Sequence, residues 1–380
     1  MKIVIAIDSF KGSMDSLQAG NAAAEGVQRE IPDACVEVLP LADGGEGTVE
    51  ALTHGLGARR CAVPVSDPIW RPVTAVYGIT ADGCAVMEMA AASGLPLLTA
   101  EERNPLVTTT YGVGEMIRHA IGEGCRDFLV GIGGSATNDG GVGMLQALGF
   151  SFLDSEGKEI PRGACGLEYL ARIDTSCALP TLRECRFRIA CDVKNPLCGT
   201  EGCSAVYGPQ KGASAEEVLC MDGWLQQYAS LTAKTVGQDL SRVPGAGAAG
   251  GLGFAFLAYL GGELSSGVSL VLHQIGLEQA LRNADLVITG EGRLDGQSAM
   301  GKAPIGVAAL AKQQGVPVVA LCGSIGQDAE ACNARGVDGF FSILPGPCSL
   351  ADAMQPDRAV ENMRRTAAQV ARLWLAKSRF

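Results

Sequence analysis

One pattern recurs at both ends of this chain and restricts its fold more than any other. A short apolar, β-branched run stops in a polar, glycine-bearing loop, and a helical stretch follows. Residues 2–7 run into Asp8, Ser9 and Phe10. A run with no polar face belongs to a strand covered on both sides, as in a parallel sheet. The spacing of Leu17, Ala24, Val27 and Ile31 predicts a helix from near Ser13 that Pro32 ends. Residues 36–41 form a second such run, stopping in Asp43-Gly44-Gly45-Glu46-Gly47, with a helix expected from near Thr48. Residues 286–289, 316–322 and 339–344 repeat the pattern, with helices expected over 304–313 and from Pro356. Ala359, Met363, Ala367, Val370 and Trp374 make one stripe of that last helix, the spacing of a core face.

Two or three strands alone make a poor core. Joined, the two ends supply about five, a normal size for a doubly wound α/β sheet. The expected architecture is therefore a parallel-sheet domain built from residues 1–66 and 284–380. A second α/β domain, 67–283, is inserted into it, and Pro64, Pro68 and Pro72 mark the exit. A length of 380 residues suits two domains. In open α/β sheets ligands bind outside the carboxyl ends of the strands. Asp8, Asp43, Glu291 and Ser324 all stand there, so residues distant in sequence are expected to converge.

The formal net charge is −11, a balance that repels nucleic-acid phosphates and anionic membranes. Neither is expected as a partner. An anionic ligand would need locally concentrated lysines and a metal counter-ion. The 14 cysteines are scattered, without C-x-x-C pairs, and read as free thiols of a reducing compartment. With three histidines and no H-x-x-x-H pair, a histidine metal site or a Ser-His-Asp triad is not expected. Lys2 precedes only a short apolar run closed by Asp8, unlike a secretory leader, and no run approaches the roughly 20 apolar residues of a membrane helix. A cytoplasmic location is expected.

Seven segments could carry chemistry. The stretch from Gly131 to Gly143 follows the apolar residues 128–130. Its Gly133, Gly134, Ser135, Thr137, Asn138 and Asp139 form a candidate phosphate cradle, because consecutive glycines let backbone amides face an anion and a following helix N-terminus adds its dipole. It lacks the Gly-Lys-Ser/Thr of a Walker loop. Gly131, Gly133 and Ala136 also fit G-x-G-x-x-A, with Asp154 about 20 residues on, which leaves a nicotinamide site open. Ser9-Phe10-Lys11-Gly12 places a lysine at the ligand edge. Asp43 and Glu46 could bind Mg²⁺, hold a hydroxyl or cap a helix. Asp192, Lys194 and Asn195 follow the apolar end of 186–191 and suit a base with a phosphate clamp, or an Asx turn before Pro196. Tyr207-Gly208-Pro209-Gln210-Lys211-Gly212 and the run from Pro244 to Gly253 are further loops of small residues. The stretch from Gly290 to Pro304 is the densest polar loop, with Glu291, Arg293, Asp295, Gln297, Ser298 and Lys302.

Taken together, these segments resemble the bacterial glycerate kinases of the glycerate 2-kinase type, in their discontinuous two-domain form. The matching stretches are Asp8 to Gly12, Leu41 to Thr48, Gly131 to Gly141, Tyr207 to Gly212, Pro244 to Gly253 and Gly290 to Lys302. They span nearly the whole chain in the family's order. Ile7 departs from the proline that usually precedes the Asp-Ser-Phe-Lys run. The resemblance implies a flavodoxin-like domain with an inserted α/β domain. It also implies ATP and Mg²⁺ as cofactors, D-glycerate as acceptor and 2-phosphoglycerate as product.

The residue roles are inferred from position. Asp192 is the expected base, with Asp43 its rival. Lys11 and Lys302 are expected to neutralise the substrate carboxylate and the transferring phosphoryl group. Asp8, Ser9, Glu291, Asp295 and Ser298 are expected to bind substrate, and Gly133 to Asp139 to bind ATP phosphates. Asp43 and Glu46 are the candidate metal ligands. Domain closure would exclude water, and a homodimer is left open. Two other functions compete: an NAD-dependent hydroxy-acid dehydrogenase and a non-catalytic metabolite-binding protein.

Overall fold

The computed structural model describes residues 1–41 and 57–377. The loop holding Asp43 and Glu46, and the helix expected from near Thr48, lie outside the described residues. The chain divides into two compact units, Met1–Gly57 with Val268–Phe380, and Ala58–Gly267.

The first unit opens with β1 (Lys2–Ile7), α1 (Ser16–Glu30) and β2 (Cys35–Pro40). Asp15 caps α1 by accepting from the Gln18 amide, while the Gln18 side chain returns to the Asp15 amide. This capping box sets the start at Ser16 rather than near Ser13, because it fixes two of the orphan amides of the first turn.

The second unit contains β3 (Arg59–Ser66), β4 (Pro72–Ile79), β5 (Cys84–Glu88), α2 (Tyr111–Gly122), β6 (Asp127–Gly131) and α3 (Val142–Ala147). A short antiparallel pair follows, β7 (Ser151–Leu153) with β8 (Arg172–Asp174). Then come β9 (Arg186–Ala190), α4 (Ala215–Val236), α5 (Ala248–Leu260) and β10 (Glu263–Ser265). Its main sheet has the order β10-β9-β6-β5-β4-β3. The first four of these strands are parallel, and β4 and β3 add antiparallel edges. In its core Phe128 stacks on Phe187, which meets Phe256 at a tilt.

The chain then returns to the first unit through β11 (Leu286–Leu294), α6 (Ala303–Gln313), β12 (Val318–Ile325), β13 (Gly339–Ser342) and α7 (Pro356–Lys377). The sheet order is β13-β12-β11-β1-β2, and every pair is parallel. Counted within this unit alone, that is the flavodoxin-like order 2-1-3-4-5, with its switch point between β1 and β11. Ile3, Ile5 and Ile7 pack with Ala23 and Val27 of α1 and Met363 and Ala367 of α7. Val4 and Ala6, on the opposite face, are equally buried. Cover on both faces is why β1 reads as a continuous apolar run.

Two expectations shift. The units do not divide at 66 and 284. β3 pairs with β4 along its whole length, from Arg59 opposite Ile79 to Ser66 opposite Pro72, so it belongs to the second unit. Residues from Val268 onward side with the first, where a Cβ on Gly306 of α6 would strike Val268 and Leu272. The second shift concerns Gly290-Glu291-Gly292, which is not a loop. β11 continues through it, with Glu291 opposite Cys322 and Arg293 opposite Ser324.

Candidate active site

The carboxyl edge of the first unit's sheet carries a cleft of about 490 Å³. Asp8, Ser9, Lys11 and Ser13 reach it from the loop after β1. Glu291, Arg293 and Lys302 reach it from the end of β11 and the start of α6, and Ser324 from β12. The β1 loop is held in place by the Asp8 amide, which donates to the Gly290 carbonyl at 2.9 Å. The Ser9 amide donates to the Asp8 carboxylate at 2.6 Å. Lys302 is the N-cap of α6, followed by Pro304 in the first turn, so its backbone stands where a helix dipole favours negative charge. Of the expected residues, Asp8, Ser9, Lys11, Glu291 and Lys302 therefore share one cleft. Arg293, noted only as one cation of its loop, joins them as a third positive charge.

Asp295 and Ser298 do not line this cleft. Asp295 accepts from the Gln297 and Ser298 amides and pairs with the Arg293 guanidinium at 3.2 Å. The Ser298 hydroxyl accepts from the Asp295 amide, and the residue is fully buried. Both side chains are engaged in shaping the turn between β11 and α6. Their polarity looks the same in sequence whether it faces a ligand or its own backbone.

In the second unit, Glu88, Gly131, Ala190 and Ser265 align at the carboxyl ends of β5, β6, β9 and β10. The glycine loop leaves this edge from Gly131. Gly133 and Gly134 are exposed, and their amides donate to no other described residue. Thr137, Asn138 and Asp139 are fully buried. Asp139 accepts from the amides of Thr110, Gly141 and Gly143 and from the Thr110 hydroxyl, at 2.8–3.2 Å. Burial pushes its carboxyl above the usual range, against those donors. The expected aid of a helix N-terminus does not reach the glycines. α3 starts only at Val142, and Asp139 occupies its first amides. The part of the loop open to a ligand is thus Gly133 and Gly134, and Ser135 directly after them is buried.

Asp192 is exposed just past β9, and its carboxylate accepts from the Gly267 amide at 3.0 Å. Lys194 beside it is exposed. Asn195 is spent on its own surroundings, donating to the Glu201 carbonyl and accepting from the Tyr207 hydroxyl. The residue that sequence reasoning missed is Lys211. It lies fully buried, its ammonium donating to the Ser135 hydroxyl at 2.8 Å and to the Thr137 carbonyl at 2.6 Å. The only signal was its place in a glycine-flanked segment. Burial of its charge could not be read there.

For a divalent cation, Asp8 and Glu291 are the described carboxylates that line the cleft. One or two carboxylates beside phosphate oxygens form a donor set that Mg²⁺ accepts. Among the described residues no three His, Cys, Asp or Glu side chains cluster as a metal cage, and no helix is long and apolar enough to cross a membrane.

Comparison with known proteins gives one consistent result. The family described as "Glycerate kinase family" matches residues 3–375. Glycerate kinase of Bacillus subtilis (strain 168) is 47% identical over 382 residues, covering all of both chains. Glycerate 2-kinase of Escherichia coli (strain K12) is 46% identical over 373 residues, covering 98% of this chain and 97% of that one. The crystal structure of a candidate glycerate kinase 2 from Salmonella typhimurium LT2 matches with a TM-score of 0.92 at 46% identity, covering 100% of each chain. With a match of this extent, on a sheet of this order, the chain belongs to the glycerate kinase family.

Proposed function

We propose that this protein transfers the terminal phosphoryl group of MgATP to the C2 hydroxyl of D-glycerate, giving 2-phosphoglycerate and ADP. The observation that most supports it is the cleft of the first unit. Lys11, Arg293 and Lys302 gather there in a chain whose net charge is −11. Such a cluster suits a carboxylate and a migrating phosphoryl group. The choice of C2 leans on the Escherichia coli relative, which carries the name glycerate 2-kinase.

In this reading the acceptor oxygen attacks the γ-phosphorus in line as the bond to the ADP oxygen breaks. Lys11 and Lys302 offset the substrate carboxylate and the charge that spreads over the phosphoryl oxygens. Asp192 orients the hydroxyl and takes its proton. The exposed amides of Gly133 and Gly134 take nucleotide phosphates. Asp8 and Glu291 would hold the Mg²⁺, which supplies Lewis-acid neutralisation of the phosphate oxygens when bound. Asp43 and Glu46 stay proposed ligands on sequence grounds. Asp295 and Ser298 shape the turn between Arg293 at the end of β11 and Lys302 at the start of α6. The protein is read as acting in the cytoplasm.

Phosphorus NMR of a mixture with MgATP and D-glycerate tests this directly. The expected result is stoichiometric ADP and 2-phosphoglycerate. Exclusive 3-phosphoglycerate would overturn the regiochemistry, and no ADP across small hydroxy acids would overturn the kinase.

A further inference from the structure

Buried charges in proteins are paired, because removing an ion from water without a counter-charge is costly. Lys211 breaks that rule. Among the described residues its ammonium bonds to neutral oxygens and to no carboxylate, although the residue is only 1% exposed. Asp139, the buried acid whose charge acts on it, is occupied by the Thr110, Gly141 and Gly143 donors. Two of the three ammonium hydrogens go to neutral oxygens, of Ser135 and Thr137. Burial accordingly lowers its pKa to about 8, with Cys203 and Asp139 as the charged or titratable groups facing it. The same spot holds further unsatisfied polarity: Thr137 Oγ1 and Asn138 Oδ1 are buried without partners.

The missing counter-charge has a natural place. Ser135 accepts from the ammonium, so its own hydroxyl hydrogen must point elsewhere. The residue is buried and directly follows the exposed Gly133 and Gly134 in the loop. We propose that Lys211 is the positioning charge of this loop, turning the Ser135 hydroxyl outward as a donor and biasing the Gly133–Gly134 amides toward a nucleotide phosphate. It touches no ligand atom itself. This inference rests on the reading of the loop as the ATP-phosphate site.

The test compares Lys211→Met, Lys211→Gln and Gly133→Glu with the wild-type enzyme, by KM for ATP, KM for glycerate, kcat and a thermal melt. Gln keeps hydrogen-bond donors without the charge, and it carries the test if the Met variant does not fold. Gly133 has open space around a Cβ, so Glu there adds a carboxylate to the loop without a clash. Both Lys211 variants are expected to raise KM for ATP by roughly tenfold to a hundredfold, the scale of a lost charged hydrogen bond, with KM for glycerate unchanged. Normal ATP KM in the Gln variant would make Lys211 a scaffold residue and overturn the proposal. If Gly133→Glu raises KM for ATP while the Lys211 variants do not, the loop reading stands and the role of Lys211 falls. If Gly133→Glu leaves it unchanged, the loop is not the phosphate site and both fall.

Discussion

Lys11 and Lys302 enter one cleft from opposite ends of the chain, and each can be tested by removing only its charge. Lys11→Met and Lys302→Met are expected to fold normally and to lose about 2–4 kcal/mol of transition-state stabilisation in steady-state kinetics, the scale of one preorganised electrostatic group. Arginine at either position should rescue only in part, because a planar fork does not replace a compact charge. Wild-type kinetics in both Met variants would remove these lysines from the site. Asp192→Asn is expected to cut turnover about a hundredfold or more while ATP still binds, the scale of a lost general base. Near-normal turnover would leave Asp192 as the acceptor for Gly267 and promote Asp43. Lys211 gives a prediction about stability. Its pKa is about 8 folded against 10.5 as the ordinary value, so between those pH values the unfolded chain binds more protons and stability rises with pH. Below about 8 the full cost, roughly 3 kcal/mol, is present. Lys211→Met should lose that rise in melts from pH 8 to 10, whereas Cys203, pushed up to about 11 by burial, titrates in both proteins. That Lys11 and Lys302 share a cleft was legible in sequence because both stand past the carboxyl edge of the sheet, Lys11 in the loop after β1 and Lys302 at the N-cap of α6. Lys211 was not, because nothing local distinguishes a buried ammonium from a solvated one. That Asp295 and Ser298 bond within their own turn was hidden for the converse reason, since such a turn is as polar as one that binds a ligand.

At the level of elements, β1 and the first part of β11 announced themselves because both faces are covered. β3 and β4 did not, since buried residues such as Cys61, Val63 and Val65 alternate with exposed ones along β3. The extent of β11 was also hidden. Gly290 reads as a strand end, yet a Cβ there would come within 2.0 Å of the Leu321 carbonyl oxygen, so the glycine permits close pairing with β12 instead. A similar close approach joins α1 to α7, where a Cβ on Gly26 would stand 2.1 Å from the Arg364 carbonyl oxygen. Because that obstacle is backbone, Gly26→Ala must push the two helices apart. The expected loss is about 1–3 kcal/mol despite alanine's better helix propensity, measured by denaturant unfolding. An unchanged midpoint would show that the crossing is looser than this packing requires.

Across the whole molecule, one unit is a single stretch of chain and the other is two. The 58–267 segment holds its own sheet and core, so expressed alone it is expected to give a cooperative melt. The 268–380 segment lacks β1, which separates β11 from β2 in the sheet, and is expected not to fold by itself. Circular dichroism of the two fragments checks both outcomes, and a folded 268–380 fragment would contradict the shared sheet. The division was legible in outline because the strand pattern resumes near the carboxyl end. Its edges were not, since β3 is claimed by pairing rather than by composition. The pairing of β1 with β11 also has a consequence during synthesis. The Lys2 amide donates to Asp285, 283 residues further along the chain. At about 5–20 residues per second, a ribosome needs on the order of 15–60 s to deliver that partner. Through that interval β1 has one bare flank at the centre of its future sheet, long enough for a chaperone or a neighbouring nascent chain to compete for it.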